Sequence, residues 1–347
     1  MGVPDGSPPE GWVGCQVNTM SAQARIHGGG QKAMSHVPEP EPTPWRPRAT
    51  LKRLLEKGLT ARPARWLLRR RSFGRAVILA YHNVVPAGEP ITGASGAHVR
   101  GEDFRWQMDL LEEFCSVVPL LDLLDPYRGS GKSQRLRVAI TFDDAYTGTL
   151  REALPELARR SLPATVFVPT GLVGKGAFWW DDLGVSGWEG AREPLEELRG
   201  ETQRIRRWAG RKGLECRPQG PSQTAASEEE LLRASGLPGM TFGVHTVGHP
   251  NLTRLSAFEV RRELEDARSW LLDRDIPFSD CLAYPYGLVS REVVRVAREL
   301  DFRAGVTITG GWVPKGPVDV FSLPRLNIPA GLTRENFLLR LFGVLSG

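Results

Sequence analysis

The sequence has few cysteines, no long apolar run and no pattern typical of a secretory leader. Its four cysteines lie far apart, with no C-x-x-C pair, which excludes a zinc-finger spacing and a dense disulfide framework. Buried free thiols are instead compatible with a reducing compartment. No stretch approaches the roughly 20 consecutive apolar residues of a membrane-spanning helix, and no basic segment followed by an apolar core opens the chain. We therefore expect a cytoplasmic location.

The positive charge is concentrated in one segment. The net charge is +5, but residues 46–75 carry eleven Lys/Arg against one Glu, a local +10 that leaves −5 for all other residues. The rest of the chain is thus mildly acidic and shows no footprint of nucleic-acid binding. We expect no nucleic-acid partner, and the oligomeric state is not determined by the sequence.

Two segments precede the regular part of the chain. Residues 1–50 are rich in Pro, Gly and Ser, which predicts a disordered N-terminal extension. Residues 51–75 interleave Leu and Trp with Lys and Arg, a pattern typical of a basic amphipathic helical segment. Two interpretations of residues 51–71 stay open, a peripheral membrane contact and a solvated helix packed on the domain.

From residue 76 onward, strand-like and helix-like segments alternate, which predicts parallel β/α units in one α/β domain over 76–347. The predicted strands are 77–81, 138–142, 164–168, 241–244, 281–284 and 304–308, and the predicted helices include 104–114, 149–160 and 290–300. A Ser256–Glu259 capping box marks the start of another helix. Between about 175 and 240 the alternation lapses, which indicates an insertion over one rim, with a helix predicted over 193–208.

Two groups of polar residues follow predicted strands. Asp143 and Asp144 end one strand, and His245 and His249 follow another. Two histidines and a carboxylate form a ligand set that leaves a catalytic zinc one open position, and a second carboxylate can act as general base. An Asp pair alone is often turn or helix N-terminus chemistry, and lone histidines are usually core or surface residues. Their joint occurrence on two successive β/α loops favours a metal site.

A Tyr-Pro-Tyr-Gly sequence at 284–287 follows the predicted strand at 281–284. Pro and Gly on either side of an aromatic residue predict a tight turn, and such a turn can direct a backbone N–H at a developing oxyanion. An ordinary turn with packed tyrosines is the alternative interpretation.

These motifs resemble one known family. TFDD at 141–144, HTVGH at 245–249 and YPYG at 284–287 resemble the NodB-like polysaccharide deacetylases of carbohydrate esterase family 4, as do LAYHNV at 79–84 and FWWDDL at 178–183. The AYPYG and LPR patterns resemble a subgroup associated with bacterial surface-polysaccharide and glycan biosynthesis. The resemblance implies a distorted (β/α) barrel of the seven-stranded type and removal of acetyl groups from N-acetylhexosamine units.

The resemblance also implies a role for individual residues. Asp143 matches the catalytic base, and Asp144, His245 and His249 match the ligands of one divalent metal, which is expected to be zinc, with cobalt or another divalent ion as alternatives. The backbone N–H of Tyr286 matches the donor that holds the oxyanion together with the metal. The implied partner is an acetylated glycan or glycolipid.

The chain departs from the family pattern at three positions. Ala145 replaces the usual Gly after the Asp pair, Ala283 stands where many members have an Arg that orients the base, and no histidine follows His249 to supply the late Leu-x-His. We hypothesise that Arg325 of the LPRL sequence orients Asp143, because a guanidinium can contact a carboxylate with two hydrogen bonds. His82, at the end of the first strand, is either the proton donor to the leaving amine or a histidine hydrogen-bonded in the barrel mouth.

The sequence therefore predicts a metal-dependent hydrolase that removes N-acetyl groups from a polysaccharide, oligosaccharide or glycolipid. A carbohydrate O-acetyl esterase using the same site is one alternative, because ester and amide hydrolysis need the same groups. A glycan-binding pseudoenzyme is the other, suggested by the missing late histidine.

Overall fold

The computed structural model describes residues 75–94, 96–124, 135–184, 187–314 and 318–344. The predicted extension at 1–50 and all of the predicted basic segment except Arg75 lie outside the described residues, as does the predicted membrane contact at 51–71. Within the described part of the chain, no helix combines the length and the apolar character that crossing a bilayer requires.

The described strands form one large parallel sheet and one small one. In the large sheet a path of seven strands runs in the order β10-β1-β5-β6-β7-β8-β9, and β4 pairs with the start of β5, while β2 and β3 pair separately. The strands are β1 (Ala76–Tyr81), β2 (Asn83–Val85), β3 (His98–Arg100), β4 (Cys115–Val117), β5 (Leu136–Phe142), β6 (Ala164–Val168), β7 (Met240–Val244), β8 (Phe278–Ala283), β9 (Ala304–Val306) and β10 (Leu326–Asn327).

The large sheet curls into a distorted barrel. Just before β10, Leu323 forms a parallel bridge to Val306 of β9, while Leu326 of β10 pairs with Leu79 of β1, so the two ends of the strand path meet. Because every strand pair is parallel, all carboxyl ends lie on the same rim. This architecture confirms the predicted distorted (β/α) barrel.

Helices cover the outside of the barrel, and the strands are buried on both faces, as expected for a parallel sheet. Ile78 belongs to the cluster inside the barrel, whereas its neighbours Val77 and Leu79 pack under the helices. The helices are α1 (Gly101–Phe114), α2 (Leu154–Arg159), α3 (Trp179–Asp182), α4 (Gly187–Glu196), α5 (Thr202–Arg211), α6 (Glu228–Ser235), α7 (Ala257–Leu272), α8 (Arg291–Glu299) and α9 (Arg334–Leu341). The predicted Ser256–Glu259 capping box is present at α7.

The segment between β6 and β7 contains α3 to α6. It has a small hydrophobic cluster of its own, made by Trp179, Leu183, Ala191, Leu195, Ile205 and Ala209. The prediction of one helix over 193–208 is wrong, because Arg199 and Gly200 adopt left-handed conformations with φ of 60° and 70° that separate α4 from α5. The predicted helix at 149–160 begins as a π-helical turn at Thr149–Ala153 before α2.

Candidate active site

Three potential metal ligands converge at the carboxyl rim of the barrel. Asp144 follows β5, and His245 and His249 follow β7, so strands separated only by β6 supply them. Asp144 Oδ1 lies 3.4 Å from His245 Nε2 and 3.3 Å from His249 Nε2, and the two Nε2 atoms are 3.1 Å apart. All three side chains are buried. The structure thus brings together the three residues predicted as ligands.

The loops that carry the ligands adopt an unusual backbone. Asp144, Ala145, Thr246 and His249 have φ of 69°, 51°, 67° and 57°, a left-handed region that costs an L-residue about 1–2 kcal/mol. Ala145 therefore occupies a position where glycine would be unstrained. Such conformations persist where surrounding contacts enforce them, and here the His249 backbone N–H donates to Thr246 Oγ1 at 2.9 Å.

A carboxylate from the helix behind the histidine loop also holds it. Glu263 of α7 accepts hydrogen bonds from the backbone N–H groups of Val247 and Gly248 at 2.8 and 2.9 Å. Burial raises the pKa of Glu263, and the two N–H groups only partly offset this. Glu263 was not predicted from the sequence as a residue of the site. Its place next to the buried Leu264 of α7 was a signal, because a carboxylate close to the apolar face of a helix needs hydrogen-bond donors.

The donor set fits a divalent metal. A tetrahedral site with bonds of about 2.0–2.1 Å has ligand–ligand edges of about 3.3 Å, close to the three separations above. His245 Nδ1 donates to the Ala283 carbonyl at 2.8 Å, which leaves its Nε2 lone pair facing the other ligands. Asp144 Oδ1 is buried and has no hydrogen-bond partner among the described residues. A cation at the centre of the three residues would satisfy it.

The two adjacent carboxylates have different partners. Asp143 receives two hydrogen bonds from Arg325, with Nη1 2.7 Å from Oδ1 and Nη2 2.6 Å from Oδ2, and both side chains are almost fully buried. Burial is the largest single influence and raises the pKa of Asp143, but the Arg325 guanidinium and the nearby His245 together outweigh it, so this pKa lies below its ordinary value. Burial likewise raises the pKa of Asp144, and the adjacent His245 and His249 imidazoles bring it well below its ordinary value. Both carboxyl groups are therefore ionised at neutral pH.

Arg325 is itself held in place before it reaches Asp143. Its Nε donates to the Thr307 carbonyl at 3.0 Å, and its Nη1 also donates to Thr141 Oγ1 at 3.1 Å. The hypothesised contact between Arg325 and Asp143 is thus present in the structure. Whether it orients the base in catalysis stays a prediction.

Tyr286 and His82 lie beside these groups. Tyr286 has φ of 59° and ψ of 8°, its hydroxyl donates to the His249 carbonyl at 3.1 Å, and its ring packs edge-on against the His249 ring at 4.5 Å. His82 is half-buried at the end of β1 and lies near enough to Asp143 to contribute to the lowered pKa of that carboxyl group. Their catalytic roles stay predictions.

A sequence profile decides the family. The profile described as "Polysaccharide deacetylase" matches residues 130–305, which is half of the chain. The chain belongs to the polysaccharide deacetylase family. The protein is therefore a carbohydrate deacetylase, an enzyme whose substrate is an acetylated carbohydrate. The narrower AYPYG and LPR subgroup stays a prediction.

Relatives of this deacetylase agree with the assignment. YxkH of Bacillus subtilis (strain 168), whose name places it among the polysaccharide deacetylases, is 20% identical over 75% of this chain and 74% of its own length. The Streptococcus pyogenes deacetylase PplD, solved in complex with acetate, has a TM-score of 0.55 at 21% identity, covering 78% of this chain and 99% of that one. IcaB from Ammonifex degensii gives 0.53 at 18%, covering 78% and 97%. These solved structures share the fold.

A buried polar network beside the deacetylase site was not predicted from the sequence. Asp181 of α3 accepts hydrogen bonds from Tyr146 Oη at 2.7 Å and from His98 Nε2 at 3.0 Å. Tyr146 Oη in turn accepts from Trp180 Nε1 at 2.8 Å, and the Trp180 ring lies 4.8 Å from the His249 ring. The network links the insertion to the metal-ligand loop. The sequence signal for this network was FWWDDL at 178–183, because a carboxylate buried beside large aromatic residues needs hydrogen-bond donors.

Proposed function

We propose that this deacetylase is a metal-dependent hydrolase that removes N-acetyl groups from a glycan or glycolipid. The observation that carries the proposal is that the adjacent carboxylates of Asp143 and Asp144 have different partners. Asp144 Oδ1 lies 3.3–3.4 Å from two imidazole nitrogens, a separation that suits two ligands of one metal ion. Asp143 is instead held by Arg325 beside these three residues. One carboxylate is thus available to hold a cation and the other to accept a proton.

Zinc is the ion proposed for the triad, because two histidines and one carboxylate are a common catalytic zinc set. When bound, such an ion supplies Lewis-acid chemistry, activating water and polarising a carbonyl. Asp144, His245 and His249 would hold it. Cobalt or another divalent ion is the alternative that the reconstitution experiment below distinguishes.

The chain's own groups supply the remaining steps. The Asp143 carboxylate, ionised and fixed by Arg325, accepts the proton of the attacking water. The Tyr286 N–H, presented by the left-handed turn, donates to the oxygen of the acetyl carbonyl as negative charge develops there. His82, on the same rim, donates a proton to the leaving amine, a role open to it because no histidine follows His249. The products are acetate and a free amino sugar.

Metal reconstitution tests the proposal. The full chain is treated with a chelator, loaded with zinc or cobalt in parallel, and assayed for acetate release from N-acetylated oligosaccharides and from O-acetylated ones. We expect the chelated protein to be inactive, the reloaded protein to release acetate from the N-acetylated substrates, and Asp143→Asn to lose about 10²–10⁴-fold in kcat while retaining metal.

Two results would overturn the proposal in different ways. Full turnover in the chelated protein would remove the metal from the reaction. Acetate release only from O-acetylated substrates would instead identify the site as an O-acetyl esterase.

A further inference from the structure

The turn between α4 and α5 reaches the active site from the insertion. Residues 198–201 form this turn, here named the insertion turn, and its Arg199 and Gly200 are both left-handed. The N–H of Gly200 donates to the carbonyl of Pro194 in α4 at 2.8 Å, and within the turn the N–H of Glu201 donates to the Leu198 carbonyl at 3.1 Å. The turn is therefore a defined structure.

The insertion turn contacts the chain just beyond the metal ligand His249. The backbone N–H of Asn251 donates to the Arg199 carbonyl at 2.8 Å, and the Asn251 side-chain amide donates to the Leu195 carbonyl at 3.1 Å. Asn251 is only 2% exposed. The insertion thus fixes the position at which the histidine loop leaves the site.

The same turn lies against Tyr286. A Cβ placed on Gly200 would come within 3.1 Å of Tyr286 Cε2, 3.2 Å of its Oη and 2.9 Å of the Asn251 backbone nitrogen. Only a residue without a side chain permits this approach. On its other side, the Tyr286 ring packs against His249, so the ring is held between the insertion turn and a metal ligand.

Tyr286 needs such support, because its backbone conformation is costly for an L-residue with a large side chain. The ring contacts and the hydrogen bond from its hydroxyl to the His249 carbonyl fix the side chain, and a fixed side chain restricts the rotation of its own backbone. The direction of the Tyr286 N–H therefore depends on the contact at Gly200.

We propose that the insertion turn is a positioning element of the active site, which sets Tyr286 and the end of the histidine loop relative to each other. The inference rests on the proposed function, since it is the oxyanion role of the Tyr286 N–H that makes this placement matter for the reaction. The insertion is then a part of the catalytic apparatus that acts through one turn.

A pair of glycine substitutions tests the proposal. Gly200 and Gly213 have φ of +70° and +68°, but nothing lies within 4 Å of a Cβ at Gly213. Gly200→Ala and Gly213→Ala thus carry the same backbone strain, and only the first presses on Tyr286 and Asn251. In the zinc-loaded full chain, we expect kcat of Gly200→Ala to fall at least about tenfold below that of Gly213→Ala, with KM unchanged, because small misplacements of catalytic groups cost up to about 10²-fold.

A readout independent of activity accompanies the kinetics. The chain has five tyrosines, and ¹⁹F NMR of the 3-fluorotyrosine-labelled protein reports on each, with Tyr286→Phe identifying the Tyr286 signal. We expect this signal to move in Gly200→Ala and to stay in place in Gly213→Ala. Equal kcat values for the two glycine variants, or an unmoved Tyr286 signal in Gly200→Ala, would overturn the proposal.

The proposal can also be tested if Gly200→Ala does not fold or if the wild-type protein shows no activity. If Gly200→Ala does not fold, Tyr286→Ala replaces it, because this variant keeps the backbone N–H and removes the ring that Gly200 contacts. A kcat at least about tenfold lower with metal retained then supports the proposal, and wild-type turnover overturns it. If the wild-type protein releases no acetate from any substrate, the proposed function has failed, and the NMR comparison of the two glycine variants alone decides whether the turn positions Tyr286.

Discussion

The barrel rim and the insertion above it both line the site, but they contribute in different ways. The rim loops after β5 and β7 provide ionisable side chains with their functional atoms within 3.1–3.4 Å of one another. The insertion provides a hydrophobic cluster, the Asp181 network and a turn that touches Tyr286 through a glycine. One region supplies reactive groups, and the other supplies shape and support.

Because of this difference, we expect substitutions in one region to affect the reaction and substitutions in the other to affect the stability of the fold. A change on the rim removes a chemical group and should lower kcat or metal binding. A change in the insertion should mainly lower the free energy of unfolding, except at the insertion turn. The following predictions test this contrast, beginning with the largest expected effect.

Loss of a metal ligand should abolish activity. His249→Gln keeps much of the side-chain volume but removes the imidazole whose Nε2 faces Asp144 and His245, leaving two ligands for the ion. We expect acetate release to drop to background and the protein to emerge from gel filtration without stoichiometric zinc, as measured by elemental analysis. Turnover together with a full equivalent of zinc in this variant would show that the triad is not the metal site.

Loss of His82 should have an effect that depends on the leaving group. If His82 protonates the leaving amine, His82→Ala lowers kcat on N-acetylated substrates by about 10²-fold or more. An acetate ester of an acidic phenol should be hydrolysed nearly as well as before, because a phenolate leaves without a proton. Asp143→Asn serves as the control, since it should slow both substrates. Equal losses on the two substrates would assign His82 a structural role.

Loss of Arg325 should reduce both stability and turnover. Arg325→Met leaves the buried Asp143 carboxylate without its partner, which we expect to cost about 3–5 kcal/mol in urea unfolding and up to about 10²-fold in kcat through a misplaced base. Arg325→Lys keeps the charge but not the two-pronged contact, so its stability should be intermediate while its kcat stays low. The double variant with Asp143→Asn should regain stability. Unchanged turnover in Arg325→Met would end the orienting hypothesis.

A substitution inside the insertion network should have the smallest effect on the reaction. Asp181→Asn preserves shape but replaces one acceptor facing Tyr146 or His98 with a donor, so we expect a loss of about 1–3 kcal/mol in unfolding free energy. The change in kcat should be only a few-fold, within the range of a minor rearrangement. Asp182→Asn is the neighbouring control, since Asp182 pairs with Arg206 instead. If kcat of Asp181→Asn fell as far as that of Arg325→Met, the two regions would not differ in their effect on the reaction.

The elements that position the candidate metal site could be predicted because their signals are local. Residues 164–168 form a short apolar and β-branched run between Pro163 and Pro169, and the structure has β6 at these residues. The parallel arrangement then places Asp144 and His249 on one rim without further information. The Ser256–Glu259 capping box is equally local.

The parts that could not be predicted depend on contacts between distant residues or on backbone conformation. His98 and Asp181 are 83 positions apart, and nothing around His98 indicates a buried partner. The break between α4 and α5 contains Arg199 in a left-handed conformation that this residue type rarely adopts, so helix propensity misled the prediction there. The insertion did contain one readable signal, since Ser227 and Glu230 form a capping box at the start of α6.

The pairing of Arg325 with Asp143 has a consequence for the order in which the enzyme is assembled. The two residues are 182 positions apart, and Arg325 directly precedes β10, the strand that pairs with β1. A chain emerging from the ribosome therefore contains Asp144, His245 and His249, the proposed metal ligands, well before it contains Arg325, the partner of the proposed base. The buried Asp143 carboxylate has its guanidinium partner only once the segment before β10 has docked, so closing the barrel against β1 also completes the surroundings of that carboxylate.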